Sequence, residues 1–341
     1  MPIYILSATQ ISIQEPLSEA WMQSPIVSSE HHKVSIDPDF RKYVVSKDFR
    51  RIGKLIKRAL TTSIYALNLA HNPQLDAVIS GTGVGCLDST EKFLLSMIQD
   101  NESFLTPTHF IYSTHNTLSS QIALHLHCHG YNNTYSQQGT SFDDALYDAY
   151  MQLNLKQIAT ALIGGFDEFT SNYFQLIDKT PLFGDANHLL QVPFGESSVS
   201  MVLSNQCDNA WCQLQGMKML YRPTAQRLQQ ELQQLLQENQ LHLSDIDTLV
   251  LGINGVPFND EPYQELSALF PETTCRVAYK SLFGEGFTLS AIGLYVAAAM
   301  LHLQTIPQNM VLHGTTQIPK HLLFYNHFQN RHHSLILLSS C

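Results

Sequence analysis

Charge is scarce in this chain. Only 14% of its 341 residues are Asp, Glu, Lys or Arg, and 19 basic against 29 acidic side chains leave a net charge of −10. That acidic balance disfavours general binding to nucleic acid or to an anionic membrane surface. Long apolar runs are missing too, and Met1-Pro-Ile-Tyr-Ile-Leu6 has no basic segment, long apolar core or small-residue cleavage site. The expectation is a cytoplasmic protein without membrane insertion. The six cysteines, Cys86, Cys128, Cys207, Cys212, Cys275 and Cys341, show no C-x-x-C spacing, which predicts reduced, mostly structural thiols. Phosphate-loop chemistry is absent as well: Gly81-Thr-Gly-Val-Gly85 is followed by Cys86, so G-x-G-x-x-G fails, and there is no G-K-[ST]. A strand ending in a tight glycine turn is the reading that remains.

The most informative absence lies in Thr134-Tyr-Ser-Gln-Gln-Gly-Thr-Ser-Phe-Asp-Asp-Ala-Leu146. A β-prone run after Gly130, a turn and a helical pattern ending near Leu153 form the strand, sharp turn and helix N-terminus that expose a nucleophile and lower its pKa. The turn offers Gln137, Gln138 and Gly139, none of which can attack a thioester.

What is present is a globular alternation. With 44% hydrophobic residues the chain can bury a large core. Apolar strand-like runs recur at Ile3 to Leu6, Ala77 to Ser80, Ala159 to Ile163, Val199 to Leu203, Leu249 to Gly252 and Leu335 to Leu338. Helical patterns fill Gly53 to Leu69, Leu118 to His127, Phe142 to Leu153, Ala225 to Gln237, Tyr263 to Phe270 and Leu289 to Leu303. That order predicts an α/β fold with a largely buried sheet. Leu228, Leu232, Leu235 and Leu236 predict one apolar stripe on a glutamine-rich helix. Residues 7–48 read as an irregular insertion.

Two clusters invite a functional reading. His125 and His129 in His125-Leu-His-Cys-His129 could chelate from one helix face, but no second ligand group complements them, and a helix C-terminus beside Gly130 explains them better; no metal is expected. The basic run Lys47, Arg50, Arg51, Lys54, Lys57 and Arg58 stands out in an acidic protein as a solvated helix face or a dock for an acidic partner. Downstream, Leu249-Val-Leu-Gly-Ile-Asn-Gly-Val256 and Lys280-Ser-Leu-Phe-Gly-Glu-Gly286 each place polar or glycine residues after a buried run, as active-site loops do.

Taken in chain order these pieces resemble the β-ketoacyl-acyl-carrier-protein synthases of the thiolase superfamily, over nearly the whole chain. Asp76-Ala-Val-Ile-Ser-Gly-Thr-Gly-Val-Gly85 is similar to the family's IIGTGIGG strand and turn. Pro107-Thr-His-Phe-Ile-Tyr-Ser-Thr-His-Asn116 resembles the segment leading to its dimer-interface helix. Gly164-Gly-Phe-Asp-Glu168 matches its GG-x-[DE] strand end, and Pro193-Phe-Gly-Glu196 its GEG turn, with Ser197 for the second glycine. The resemblance implies a thiolase-like fold: two pseudo-symmetric halves, 1–206 and 207–341, in an α-β-α-β-α five-layer arrangement.

The catalytic positions depart from that pattern one after another. Aligned without a gap on Ser141 and Ala145, the family's T-A-C-x-S-x-x-x-A places Gly139 at the cysteine, with Gln138 one residue away. The first histidine corresponds to Asn254, followed by Gly255, with Glu265 matching a downstream glutamate. The second, in K-S-x-x-G-H, becomes Glu285 after Lys280, Ser281 and Gly284. The glycine-rich N-S-F-G-F-G-G loop appears as Asn326-His-Phe-Gln-Asn-Arg-His332. Condensation needs a thiolate to hold the acyl chain and histidines to stabilise the enolate. The resemblance therefore implies a catalytically silent subunit, comparable to the chain-length factors of bacterial polyketide, aryl-polyene and alkylresorcinol-type systems. It would pair with an active ketosynthase, or with itself, through Phe110, Tyr112, His115 and Asn116, and receive an acyl carrier protein on Arg50, Arg51, Lys54, Lys57 and Arg58. Gln138, Gly139, Asn254, Lys280, Glu285 and Phe328 would line the remnant pocket, with no cofactor. The alternatives are an acyltransferase or thioester hydrolase using Glu285, Cys86 or His115, and a stand-alone acyl or acyl-carrier binding protein.

Overall fold

The computed structural model describes residues 2–44, 49, 51–103, 105–177, 179–180 and 192–341. The first half of the chain contributes strands β1 (Ile3–Ile11), β2 (His32–Lys33), β3 (Ala77–Gly81), β4 (Tyr131–Tyr135), β5 (Thr160–Asp167), β6 (Phe194–Gly195) and β7 (Ser197–Ser204). The second contributes β8 (Cys212–Tyr221), β9 (Thr248–Leu251), β10 (Cys275–Ala278), β11 (Val311–His313), β12 (His321–Phe328) and β13 (His332–Ser339). Helices α1 (Lys54–Leu69), α2 (Leu87–Gln99), α3 (Pro107–Ser113), α4 (Thr117–His125), α5 (Ser141–Asn154) and α6 (Ser171–Ile177) precede β6. Helices α7 (Ala225–Glu238), α8 (Pro257–Ser267), α9 (Lys280–Phe283) and α10 (Leu289–Leu303) come after β8.

The strand order repeats. From one edge inward the sheet runs β4-β3-β5-β7-β1, and from the other β10-β9-β12-β13-β8, with β11 added outside β10. In both sets the first three strands are parallel and the last two pair antiparallel. The sets meet where Ile3–Ile5 of β1 pair with Cys212–Leu214 of β8. Period-two alternation explains the layering. Ala77 and Ile79 face one core with Phe142 and α10, while Val78 faces another with Leu55 and Leu60 of α1. Leu322 and Phe324 join the central core, whereas Leu323 and Tyr325 turn to Leu228 and Leu232 of α7. Helices α5 and α10 thus lie between the two sets of strands, with α1 and α4 outside one and α7 and α8 outside the other. Every residue of α10 from Leu289 to Leu301 is buried, which suits a central helix of mean apolar character.

Several elements differ from the sequence reading. The strand predicted to end at Leu6 runs on to Ile11, because Ser7, Thr9 and Gln10 are buried inside it and Ser7 Oγ donates to the Ala66 carbonyl at 2.7 Å. The expected insertion at 7–48 therefore begins later, and it is tied to the core: Trp21 Nε1 donates to Tyr295 Oη at 2.9 Å, and Lys33 Nζ donates to the Ser281 and Leu282 carbonyls at 2.6 and 2.9 Å. Helix α8 starts at Pro257, six residues before its predicted start at Tyr263, where Pro occupies the first turn without needing its missing N–H. Helix α4 ends at His125, so His129 lies beyond it and the two histidines do not share a helix face. The leucine stripe of α7 is buried as its spacing predicts. Leu232→Ala is expected to lower stability by about 2–5 kcal/mol by opening a cavity, measured as a shifted urea midpoint at unchanged m-value.

Candidate functional site

The turn between β4 and α5 is built by its own polar groups. Ser141 Oγ accepts from the Gln137 N–H and donates to the Gln138 carbonyl, both at 2.8 Å, and Thr140 Oγ1 donates to the Gln137 carbonyl at 3.1 Å. Its strained residue is Gln138, with φ of 54°, while Gly139 adopts no positive φ. A left-handed non-glycine residue between a strand and a helix is the conformation of a nucleophile elbow. Gln138 is exposed, whereas Gly139 and Thr140 are buried. Gly139 is required for a different reason, close approach. A Cβ at that position would lie 2.1 Å from Phe328 Cδ2.

Phe328 reaches the turn because its segment is a hairpin, not an open loop. Strands β12 and β13 pair up to Phe328 and His332, and Gln329 and Asn330 make the turn with φ of 53° and 50°. Behind Phe328 the aromatic packing continues: its ring centroid lies 6.2 Å from Phe287, which lies 6.4 Å from Phe169.

Asn254, Lys280 and Glu285 converge on the same place. Lys280 Nζ donates to Glu285 Oε2 at 2.7 Å, with both side chains only 5% exposed. Asn254 Nδ2 donates to the same oxygen at 2.9 Å, and the Gly286 N–H donates to Oε1 at 3.0 Å. Backbone pairing fixes the loop, since the Glu285 N–H donates to the Pro193 carbonyl and the Gly195 N–H to the Glu285 carbonyl, each at 2.8 Å. Gly284 makes this approach possible with φ of 96°, and a Cβ there would meet the Pro193 carbonyl oxygen at 2.8 Å. Asp260 caps the Asn254 and Gly255 N–H groups at 3.0 and 2.8 Å, a role for which the sequence pattern holds no signal. Glu265, the expected partner glutamate, is exposed on the outer side of α8. The cavity among Asn254, Lys280, Glu285, His327 and Phe328 measures about 10 Å³. That is room for one water at most.

The hairpin also carries a buried histidine. His327 is buried, its Nε2 lies 2.6 Å from the Asn259 carbonyl, and burial together with His333 and Lys280 drives its pKa well below the ordinary value. Cys86 is 1% exposed and burial pushes its thiol far up, so it supplies no thiolate. His115 packs against Gly85 and is not among the residues of the closed cavity.

The glycine turn after β3 has a definite job. Thr82 Oγ1 and the Gly83 and Val84 N–H groups donate to the Asp167 carboxylate at 2.9, 2.9 and 3.0 Å, and Thr288 Oγ1 at 2.8 Å. The turn thus binds the strand-end carboxylate of β5. Burial pushes Asp167 up to about 6 and Glu168 to about 7, while these donors oppose the rise at Asp167.

Burial also raises Asp143 to about 8, with the Asp144 charge adding and Ser290, Ser334 and Lys280 opposing. Its folded form holds a proton that an unfolded carboxyl near 3.8 releases. The stabilisation is full below the unfolded value and is lost as pH rises through the folded one. Between pH 6.5 and 7.5, Asp143→Asn is expected to reduce the fall of stability with pH by about 1 kcal/mol per unit, as measured by urea denaturation across that window.

The basic run does not form one solvated face. Arg58 is fully buried, with Nη1 2.8 Å from Glu196 Oε1 and Nε 2.5 Å from Asp37 Oδ1. Its position on the inner side of α1 removes it from any docking surface. Lys54 and Arg51 are exposed and Lys57 half-buried with its ammonium 4.6 Å from the Phe49 ring centroid; Lys47 and Arg50 lie outside the described residues. Phe110 and Ile111 are 56% and 58% exposed, His115 and Asn116 are exposed, and Tyr112 is half-buried. They adjoin α2, whose Leu94, Leu95 and Ile98 are exposed, through a Phe93–Phe110 ring contact at 5.3 Å. Strand β4 ends the sheet on the same half. Among the described residues no helix is long and apolar enough to cross a membrane, and no group of three or more His, Cys, Asp or Glu residues is placed to hold a metal.

Comparison with known proteins gives a match of residues 7–250 to the family model for the β-ketoacyl synthase N-terminal domain. Among solved structures, the ishigamide ketosynthase/chain length factor is similar at TM-score 0.82 and 14% identity, over 100% of this chain and 99% of that chain. A β-ketoacyl synthase from Burkholderia phymatum STM815 gives TM-score 0.78 and 14% identity over 100% of both chains. The ketosynthase ApeO in complex with its chain length factor ApeC, from Xenorhabdus doucetiae, gives 0.76 and 15% over 99% of this chain and 98% of that chain. At such identities these likenesses establish the fold. A search of curated proteins finds no match.

Proposed function

The chain belongs to the β-ketoacyl synthase family, and from that premise we propose that it is a non-catalytic subunit of the chain-length-factor kind, working beside an active ketosynthase in the cytoplasm. One observation carries the reading. The Phe328 ring packs against Gly139, next to the elbow residue Gln138, and the cavity among Asn254, Glu285 and Phe328 holds only about 10 Å³. We read Gln138 as the residue in the elbow position, with Gly139 beside it, and neither supplies a nucleophile. The Glu285 carboxylate is already bound by Lys280, Asn254 and Gly286. A second reading as acyltransferase or hydrolase would need Glu285 free or Cys86 ionised, and an acyl binder using this site would need more than the 10 Å³ beside Glu285. The repeated strand order supports a division of the chain near 206/207 into two halves.

The partner, on this account, is a ketosynthase with an intact cysteine, docked on Phe110, Ile111, Tyr112, His115 and Asn116 beside the open edge of β4. A carrier protein would meet Arg51, Lys54 and Lys57. The pathway class is fatty-acid or polyketide-type extension, of the aryl-polyene or alkylresorcinol kind. The test is co-expression with the ketosynthase encoded nearest to it. Co-elution as a 1:1 complex is the expected result, lost in a Phe110→Asp/Ile111→Asp variant that keeps its own melting temperature. A homodimer that excludes the ketosynthase would reject the pairing.

A further inference from the structure

Away from the closed cavity, a larger cleft has a buried carboxyl group in its wall. It lies between the start of α1, the start of α2 and helix α6, and measures about 820 Å³. Glu30, Lys54, Asp88, Glu168, Phe169 and Phe174 are among its walls. Glu168 is only 3% exposed, and its Oε1 accepts from the Asp88 N–H at 3.2 Å. Among the described residues no hydrogen bond or ion pair reaches Oε2, yet that oxygen is not sealed inside the protein, so it opens onto the cleft. Arg58, whose charge is felt at Glu168, is itself held by Glu196 and Asp37. A carboxylate this deep gains most from a charged donor that enters beside it.

The walls define the guest. The carboxyl groups of Glu30, Asp88 and Glu168 face the single ammonium of Lys54, in a chain of net charge −10, so a cation is favoured over an anion. Among the described residues no group of three or more His, Cys, Asp or Glu is placed to hold a metal, which leaves an organic cation. A free carboxylate oxygen takes an N–H donor. Next to it the Phe169 and Phe174 rings form an apolar wall, fixed by stacking on Tyr173 and His32 at centroid distances of 5.3 and 3.9 Å. We propose that this cleft binds a primary alkylammonium ion, whose N–H donates to Glu168 Oε2 and whose alkyl chain lies against Phe169 and Phe174. The site is separate from the Glu285 cluster and stands whether or not the chain is catalytically silent.

The n-butylammonium ion is the probe. In an NMR titration of the full chain at pH 8, saturable shifts are expected at Glu168 to Gln175 and at Asp88. Binding requires the carboxylate form of Glu168, which burial raises to about 7. Facing that carboxyl are Asp88 from α2, Glu196 from the turn before β7 and Arg58 from α1, with Glu30, His31, His32 and Lys54 around the cleft. A cation favours the ionised form, so affinity should rise about tenfold from pH 6 to pH 8. Glu168→Gln, which leaves the rim histidines in place, should bind at least about tenfold more weakly at pH 8 and lose most of that rise. Glu30→Lys, at an exposed rim position, should weaken binding with the melting temperature unchanged. Tetramethylammonium, which has no N–H, should not compete. The proposal is overturned by the absence of saturable shifts at the cleft, by tetramethylammonium binding as tightly as n-butylammonium, or by undiminished affinity in Glu168→Gln or in Glu30→Lys.

Discussion

Gly139→Cys, which returns a thiol to the turn, is expected to lower stability and to yield no condensing enzyme. The added Cβ would sit 2.1, 2.3 and 2.7 Å from three atoms of the Phe328 ring. That ring cannot simply retreat, because Phe287 stands behind it at a centroid distance of 6.2 Å. Overpacking of this kind costs about 1–3 kcal/mol, and rigid aromatic neighbours put this case at the upper end. Pairing the change with Phe328→Ala should recover much of the loss by giving the thiol room. Activity should still be absent if, as proposed, Glu285 stands where the second histidine would, since its carboxylate is already engaged by Lys280. Urea midpoints and an acyl-thioester condensation assay on the three variants measure both halves of this expectation.

Lys280→Met is expected to have the larger effect on folding. The pair it breaks is buried on both sides, and removing one partner leaves Glu285 with only Asn254 and the Gly286 amide for a full charge. Loss of one member of a buried pair costs about 3–5 kcal/mol. Adding Glu285→Gln should restore part of it, because the carboxamide leaves no unpaired charge, although its single oxygen accepts from only one of Asn254 and Gly286. A double-mutant cycle from chemical denaturation reads the coupling. A double variant as unstable as Lys280→Met alone would show that an unpaired Glu285 charge is not the source of the loss.

Much of the architecture was legible because the central strands are buried on both faces and so read as apolar runs. Val199 to Leu203 and Leu335 to Leu338 are of this kind, and both lie inside observed strands. Strand β8 presents no apolar run, since Gln213, Gln215 and Lys218 alternate with its buried residues and dilute the pattern. Strand β1 was cut short for the opposite reason, polar residues carried into the core. At the site, the sequence marks Asn254, Glu285 and the Phe328 segment as separate departures from a family pattern that Lys280 still matches. Their convergence, with Lys280 and Asn254 on one oxygen of Glu285, comes from loops on different strands and has no local signal. Arg58 departs from the solvated face that a charge run usually marks, because its buried partner Glu196 lies far along the chain. The left-handed Gln138 is a backbone property, and a gap-free alignment on Ser141 and Ala145 passes one residue beside it.

The most direct test of catalytic silence is malonyl- and acyl-thioester turnover by the purified chain alone, monitored as released carbon dioxide and as transferred acyl group. The account predicts no turnover above the buffer rate, with no covalent acyl adduct on the protein by mass spectrometry. Turnover that Glu285→Gln abolishes would contradict it.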